Sequence, residues 1–293
     1  HYSSRRQRQM CIRDRLSYWI CNQLVLKNIK KLLGLNNCRY ALSGAAPISP
    51  DLINWYLSLG IDMREGWGMT ETAGVGTAFY SREIKLGHVG RAVNDSEVRI
   101  AKDGEILFRG PGVFCGYLNK PEQTKETLID GWLHTGDVGE IDNYGNLKIT
   151  DRKKDIIITA GGKNISPSEI ENELKFSPFI SDAVVIGDKR KFLSCLIMID
   201  EENVMKHAQD NDIPFSNFES LCKSEEIVSL IDDEVNKVNK KFASVEQVKK
   251  FSLIDIQLTA EDDELTPTMK LKRKFINQKY GDIIESCLLY TSP

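Results

Sequence analysis

Arg64-Glu-Gly-Trp-Gly-Met-Thr-Glu-Thr72, REGWGMTET, is the stretch on which the fold turns. Gly66 and Gly68 bracket Trp67 and let backbone approach closely, and Met, Thr and Glu follow in immediate succession. Thr70 can hydrogen-bond a phosphate or carboxylate oxygen, and Glu71 is a hard oxygen ligand of the kind Mg²⁺ takes while it also holds substrate phosphates. A Gly-rich turn ending in Thr-Glu equally fits a loop that leads into a capped helix, so the stretch alone leaves both readings open. Ile61-Asp-Met63 reads as a short strand feeding it, and the order strand, Gly loop, functional tip puts a ligand at the carboxyl end of a sheet.

Composition bounds the rest. At 293 residues about two domains are expected. A hydrophobic share of 41%, a charged share of 28% and a net charge of -3 describe an ordinary globular protein and argue against nucleic acid held by bulk electrostatics. The seven cysteines form no CxxC pair and no closed disulfide framework, so reduced thiols and a cytoplasmic location are expected. The four histidines make no zinc pattern, and no apolar run is long enough to span a bilayer. Arg5 to Arg15 and Cys287 to Pro293 read as translated adaptor sequence and are set aside from the fold.

Taken in order, Leu16 to Leu33 has helical apolar spacing and stops at Gly34. Tyr40-Ala-Leu42 predicts a strand running into Ser43-Gly44-Ala45-Ala46-Pro47, either a surface for a flat ring or a plain turn before the helix Leu52 to Leu59. Glu97 to Ala101 and Glu105 to Arg109 predict a hairpin around Asp103-Gly104, and Gly131 to Asp137 predicts a tight turn ending in a carboxylate. A second hairpin is expected over Val138 to Asp151. The charge run Asp151 to Asp155 marks a boundary, giving domains 16–151 and 152–286. Beyond it, strands at Ile156 to Thr159, Ala183 to Gly187, Phe192 to Ile199 and Phe251 to Ile256 alternate with helices. The Ile227, Ile231, Val235, Val238 stripe reads as core. This predicts a compact α+β domain of roughly 130 residues after an α/β portion.

Together, Gly66-Trp-Gly-Met-Thr-Glu71, Gly104 to Tyr117, Trp132-Leu-His-Thr-Gly-Asp137, Asp151 through Glu171 and Leu265 to Arg273 resemble the motifs of the AMP-forming acyl- and aryl-CoA synthetases, in order and at fitting separations. The resemblance runs from about Leu35 to about Asp282. The Ala160-Gly-Gly-Lys-Asn164 loop, Arg190 to Leu193 and the Leu265 to Arg273 ending look most like long-chain fatty acyl-CoA synthetases. The Ser/Thr/Gly-rich phosphate loop of that family has no counterpart before Ser43. The resemblance therefore implies the C-terminal portion of a large adenylate-forming domain, with a small β-barrel-like hairpin region, followed by a small mobile domain.

The implied reaction joins a long-chain fatty acid to coenzyme A at the expense of ATP with Mg²⁺, through an acyl-adenylate, and the acyl substrate leaves room for peripheral contact with a membrane. The resemblance implies that Gly44, Ala45, Ala46, Gly66, Trp67, Gly68 and Thr70 receive the nucleotide and that Glu71 holds the metal. Asp137 and Arg152 take the ribose, Lys270 is catalytic, and Gly161-Gly162 line the pantetheine passage after a swing about Lys154. One carboxylate offers two oxygens to a vicinal diol, and a flexible ammonium can reach both the carboxylate and the α-phosphate. The plainer readings are a turn cap for Asp137 and a solvated basic face for Lys270 among Lys272, Arg273 and Lys274. An aryl-CoA or carrier-loading ligase and a non-catalytic nucleotide- or CoA-binding piece are the alternatives.

Overall fold

A computed structural model of the chain describes residues 16–46, 48–80, 84–255 and 272–289. The first helix, α1 (16–32), is α-helical except for one π turn at Asn22–Leu26. It ends where Gly34 takes φ +71°, a left-handed stop. Its apolar stripe is not core among the described residues: Trp19, Leu24 and Leu32 are exposed.

Strand β1 (Ala41–Ser43) is followed by helix α2 (Pro50–Ser58) and by β2 (Met63–Trp67), which runs parallel to β1 with Ser43 opposite Glu65. Ser49 caps α2 by accepting from the Asp51 N–H at 3.2 Å, with Pro50 in the first turn. This βαβ unit matches the strand, small loop and helix expected. REGWGMTET itself is half strand: Arg64 to Trp67 lie in β2, and Thr70–Thr72 form a 3₁₀ turn. Extended alternation, with Glu65 and Trp67 both facing inward, overrides the loop signal of the two glycines. The short antiparallel strands β3 (Thr77–Ala78) and β4 (Arg91–Ala92) complete a sheet ordered β1-β2-β3-β4.

Next come β5 (Glu97–Ile100), β6 (Glu105–Arg109), helix α3 (Pro121–Thr127), β7 (Leu128–Ile129), β8 (Trp132–Ile141) and β9 (Leu147–Arg152). They make an open sheet ordered β5-β6-β8-β7 with β9 on β8, not a closed barrel. The tight turn expected at Gly131 to Asp137 is instead the first half of the ten-residue strand β8. The period of two decides this, because Leu133, Thr135 and Asp137 are buried in alternation.

The chain divides into two compact units, and the division falls inside β5, β6, β8 and β9. One unit holds residues up to Arg99 with Leu107–His134 and Glu140–Lys148; the other holds Ile100–Ile106, Thr135–Gly139 and the chain from Ile149. In the second unit, β10 (Ile157–Ile158) and β11 (Asn164–Ile165) form a small hairpin, and helix α4 (Pro167–Leu174) follows. A three-stranded sheet is built from β12 (Ile180–Ile186), β13 (Leu193–Ile199) and, after helices α5 (Glu201–Asp210), α6 (Phe218–Cys222) and α7 (Glu225–Asn239), β14 (Val248–Leu253).

Every residue of the central strand β13 is buried, as its unbroken apolar run requires of a strand covered on both faces. On one face Cys195 and Ile197 join Ile170, Leu174, Ile227, Ile231 and Val235. On the other, Leu196 and Met198 meet Ile276, Tyr280 and Ile284 of helices α8 (Arg273–Lys279) and α9 (Gly281–Leu289). The stripe on α7 is core, as its spacing demands, and α9 continues into the tail that was set aside. Among the described residues, no helix is long and apolar enough to cross a membrane.

Candidate functional site

In the first unit, two adjacent parallel strands end side by side, and the segments that leave them are the Gly44-Ala45-Ala46 loop and the Gly68-Met69-Thr70 turn. Gly44, Ala45 and Ala46 are exposed, and Ala45 sits at φ +68°, a left-handed conformation that is strained for any residue carrying a Cβ. A Cβ on Gly44 would lie 3.1 Å from the Gly66 carbonyl, so the loop rests against β2. Gly68 is required by the fold itself, since a Cβ there would meet the Gly74 carbonyl at 2.2 Å. Trp67 contributes packing: its ring is buried, 6.0 Å from Phe108 in an edge-on arrangement.

Glu65, between these segments, is a buried carboxyl that burial pushes up to about 7, opposed by the Ile48 amide that donates to it. A raised carboxyl favours the protonated folded state, so its contribution to stability is complete below pH 4.5 and disappears as pH rises through about 7. The span corresponds to about 3 kcal/mol. Glu65→Gln is expected to flatten the pH dependence of the urea midpoint between pH 5 and 8; an unchanged slope would refute the assignment.

Thr70 is exposed, and Thr72 locks the turn through its hydroxyl, which receives the Met69 N–H at 3.0 Å. The Glu71 carbonyl accepts from the Phe114 N–H at 2.9 Å. The Glu71 carboxylate accepts from the Tyr117 hydroxyl at 2.7 Å. Thus one exposed hydroxyl and one oriented carboxylate stand together on a rigid turn. Among the described residues no cluster of three or more metal-ligating side chains exists. A single carboxylate suits Mg²⁺, which keeps waters and takes its other ligands from substrate phosphates. Tyr117 ends the Gly104 to Tyr117 stretch, and the sequence gives it no role.

In the second unit, Asp137 lies on β8 and is buried, and Arg152 ends β9. Arg152 Nε approaches Asp137 Oδ1 at 3.3 Å, with the arginine side chain 54% exposed and the aspartate 10%. The neighbouring Gly136 takes φ +71°, and its N–H donates to Glu105 Oε1 at 2.9 Å while its carbonyl accepts from Lys153 N at 2.8 Å. Lys153 Nζ ties Glu105 at 3.2 Å to Asp103 at 2.7 Å. Glu105 and Lys153 therefore set the backbone that aims Asp137. The only sequence signal for Glu105 is a charge on the inward register of β6.

Gly161 and Gly162 are exposed at the tip of the β10–β11 hairpin, with Gly162 at φ +72°. Asp151, just before Arg152, is buried and accepts from Ser166 Oγ at 2.8 Å, Ser168 N at 3.1 Å and Ser168 Oγ at 2.9 Å. It thereby closes the segment carrying that hairpin onto the first turn of α4. Lys270 lies outside the described residues.

A family model described as AMP-binding enzyme matches residues 15–118, and one described as AMP-binding enzyme C-terminal domain matches residues 154–291. Long-chain-fatty-acid–CoA ligase FadD15 of Mycobacterium bovis is 39% identical over 273 residues, covering 93% of this chain and 45% of that protein. Long-chain-fatty-acid–CoA ligase ACSBG2 of Xenopus laevis is 36% identical over 295 residues, covering 92% of this chain and 40% of its own length. The chain thus spans less than half the length of these relatives. Among solved structures, o-succinylbenzoate CoA synthetase of Bacillus subtilis in complex with an acyl-adenylate superposes with a TM-score of 0.64 at 26% identity, over 83% of this chain and 48% of that one. The adenylation domain of a Mycobacterium chelonae carboxylate reductase shares the fold at a TM-score of 0.68 and 24% identity, over 86% and 38%.

Proposed function

This chain belongs to the AMP-binding enzyme family, and on that premise we propose that it supplies the adenylate-handling and small-domain residues of a long-chain fatty acid–CoA ligase. The proposed substrates are a fatty acid, ATP and coenzyme A. In the first step the fatty carboxylate attacks the α-phosphorus of ATP and expels pyrophosphate; in the second the thiol of coenzyme A displaces AMP. Such chemistry calls for positioning and charge neutralisation more than for a covalent nucleophile. The observation that carries the reading is the turn after β2, which presents an exposed Thr70 hydroxyl beside a Glu71 carboxylate already held by Tyr117. The names of the relatives support the fatty acid as substrate class.

In this reading the Gly44-Ala45-Ala46 loop and the backbone of Gly66 to Gly68 receive the adenine, and Thr70 donates to a phosphate oxygen. Glu71 would hold Mg²⁺, which when bound neutralises phosphate charge. Asp137 accepts from the two ribose hydroxyls with Arg152 beside it, and Lys270 stabilises the charge that grows on the reacting phosphate. Residues 152–286 form the mobile lobe, and Gly161-Gly162 admit the thiol arm, since nothing projects from a glycine.

The test is a titration of the chain with AMP and with MgATP, alongside hydroxamate trapping of acyl-adenylate with palmitate and with benzoate. Palmitoyl hydroxamate supports the ligase reading. Saturable AMP binding without turnover supports a nucleotide-binding role for the chain by itself. Failure to bind either nucleotide refutes both, and benzoate preferred over palmitate refutes the fatty acid.

A further inference from the structure

Residues 114–117 grip Glu71 twice. The Phe114 N–H holds its carbonyl at 2.9 Å, and the Tyr117 hydroxyl holds its carboxylate at 2.7 Å. Tyr117 is itself fixed at two further points. Its N–H donates to Thr124 Oγ1 at 2.9 Å, and its ring stands edge-on to Phe114 at 4.8 Å. Packing alone does not account for this arrangement, because a phenylalanine would fill the same space; the hydroxyl is the atom that needs a reason.

We propose that Tyr117 is a positioning residue whose hydroxyl fixes the orientation of the Glu71 carboxylate toward a metal-bound triphosphate. The inference rests on the function proposed above and adds to it a role for Tyr117, the last residue of the Gly104 to Tyr117 stretch. A hydroxyl donating to a carboxylate is a charge-assisted bond, shorter and stronger than a neutral one. A glutamate side chain left to rotate loses freedom when a ligand orders it, and that cost reduces affinity for whatever the carboxylate contacts. The effect is confined to ligands that reach Glu71. In this proposal Tyr117 acts through Glu71, the residue its hydroxyl contacts.

The experiment compares wild type and Tyr117→Phe by calorimetric titration with MgATP and, separately, with AMP in the absence of divalent metal. Tyr117→Phe is expected to weaken MgATP binding about tenfold and AMP binding by less than twofold.

Equal MgATP affinity in Tyr117→Phe and wild type, or an equal loss of MgATP and AMP, overturns the proposal while leaving the ligase reading intact. A wild-type chain that binds neither nucleotide sinks the ligase reading and this inference with it.

Discussion

Glu171→Ala is expected to lower the unfolding free energy of the chain by about 3–5 kcal/mol, the range for removing one partner of a buried ion pair. Glu171 lies on α4 and is 9% exposed. Its carboxylate accepts from the Val185 N–H at 2.7 Å and from Arg273 at 2.8 Å, and Arg273 also donates to the Val185 carbonyl at 2.8 Å. One carboxylate and one guanidinium thus satisfy both backbone groups of a β12 residue and fasten the start of α8 to the sheet. Burial pushes the Glu171 carboxyl up, and Arg273 and the Val185 amide pull it back.

Alanine leaves the guanidinium and the Val185 amide without this partner, where each carries a desolvation cost. Arg273 is 23% exposed, and water there places the loss toward the lower end of the range. Glu171→Gln keeps an acceptor for the Val185 amide and should lose less. Urea unfolding with an unchanged slope would measure both, and a Glu171→Ala loss below 1 kcal/mol would show that the pair does not fasten α8 to the sheet.

How much of this was legible in the sequence depends on the period of each segment. The stripe Ile227, Ile231, Val235 and Val238 on α7 and the apolar run of β13 declare their burial, because one period fits each and no other does. The βαβ start was legible for a similar reason: Ser49 and Pro50 mark the entry to α2, and Gly60 its exit at φ +79°.

Gly131 to Asp137 was misread because two glycines in seven residues outweigh a strand period locally. Gly136 does adopt a left-handed conformation, but Glu105 and Lys153 hold it within a continuous strand, and those partners are far away in sequence. The same holds for the candidate site. Thr70, Glu71 and Asp137 are visible as residue types in motifs, whereas Tyr117 and Glu105 matter through partners 46 and 31 positions away that no local pattern encodes. Glu65 lay in the quoted stretch, yet its role follows from being buried beside Ile48, which is a property of the folded sheet.

Asp137→Ala is expected to weaken AMP binding more than a hundredfold. In the proposed role one carboxylate accepts from both ribose hydroxyls, and a hydrogen bond to a charged group contributes about 1.5–3 kcal/mol, so two together exceed the roughly 2.7 kcal/mol that a hundredfold change requires. The loss should be one of binding rather than of folding. One ion partner, Arg152, is 54% exposed at 3.3 Å, and a pair of that kind contributes at most about 1 kcal/mol to stability. Glu105 and Lys153 hold the backbone at Gly136.

Asp137→Asn separates charge from geometry, since it keeps one acceptor in place and should bind AMP with a smaller loss than alanine. Deoxyadenosine monophosphates complete the test, because removing a hydroxyl that Asp137 holds should cost wild type affinity and cost Asp137→Ala nothing further. The plainer role, capping a turn, predicts the opposite pattern, a lower melting temperature with AMP affinity retained. An Asp137→Ala chain that binds AMP within threefold of wild type, or that discriminates among the deoxy analogues as wild type does, would remove Asp137 from the ribose site.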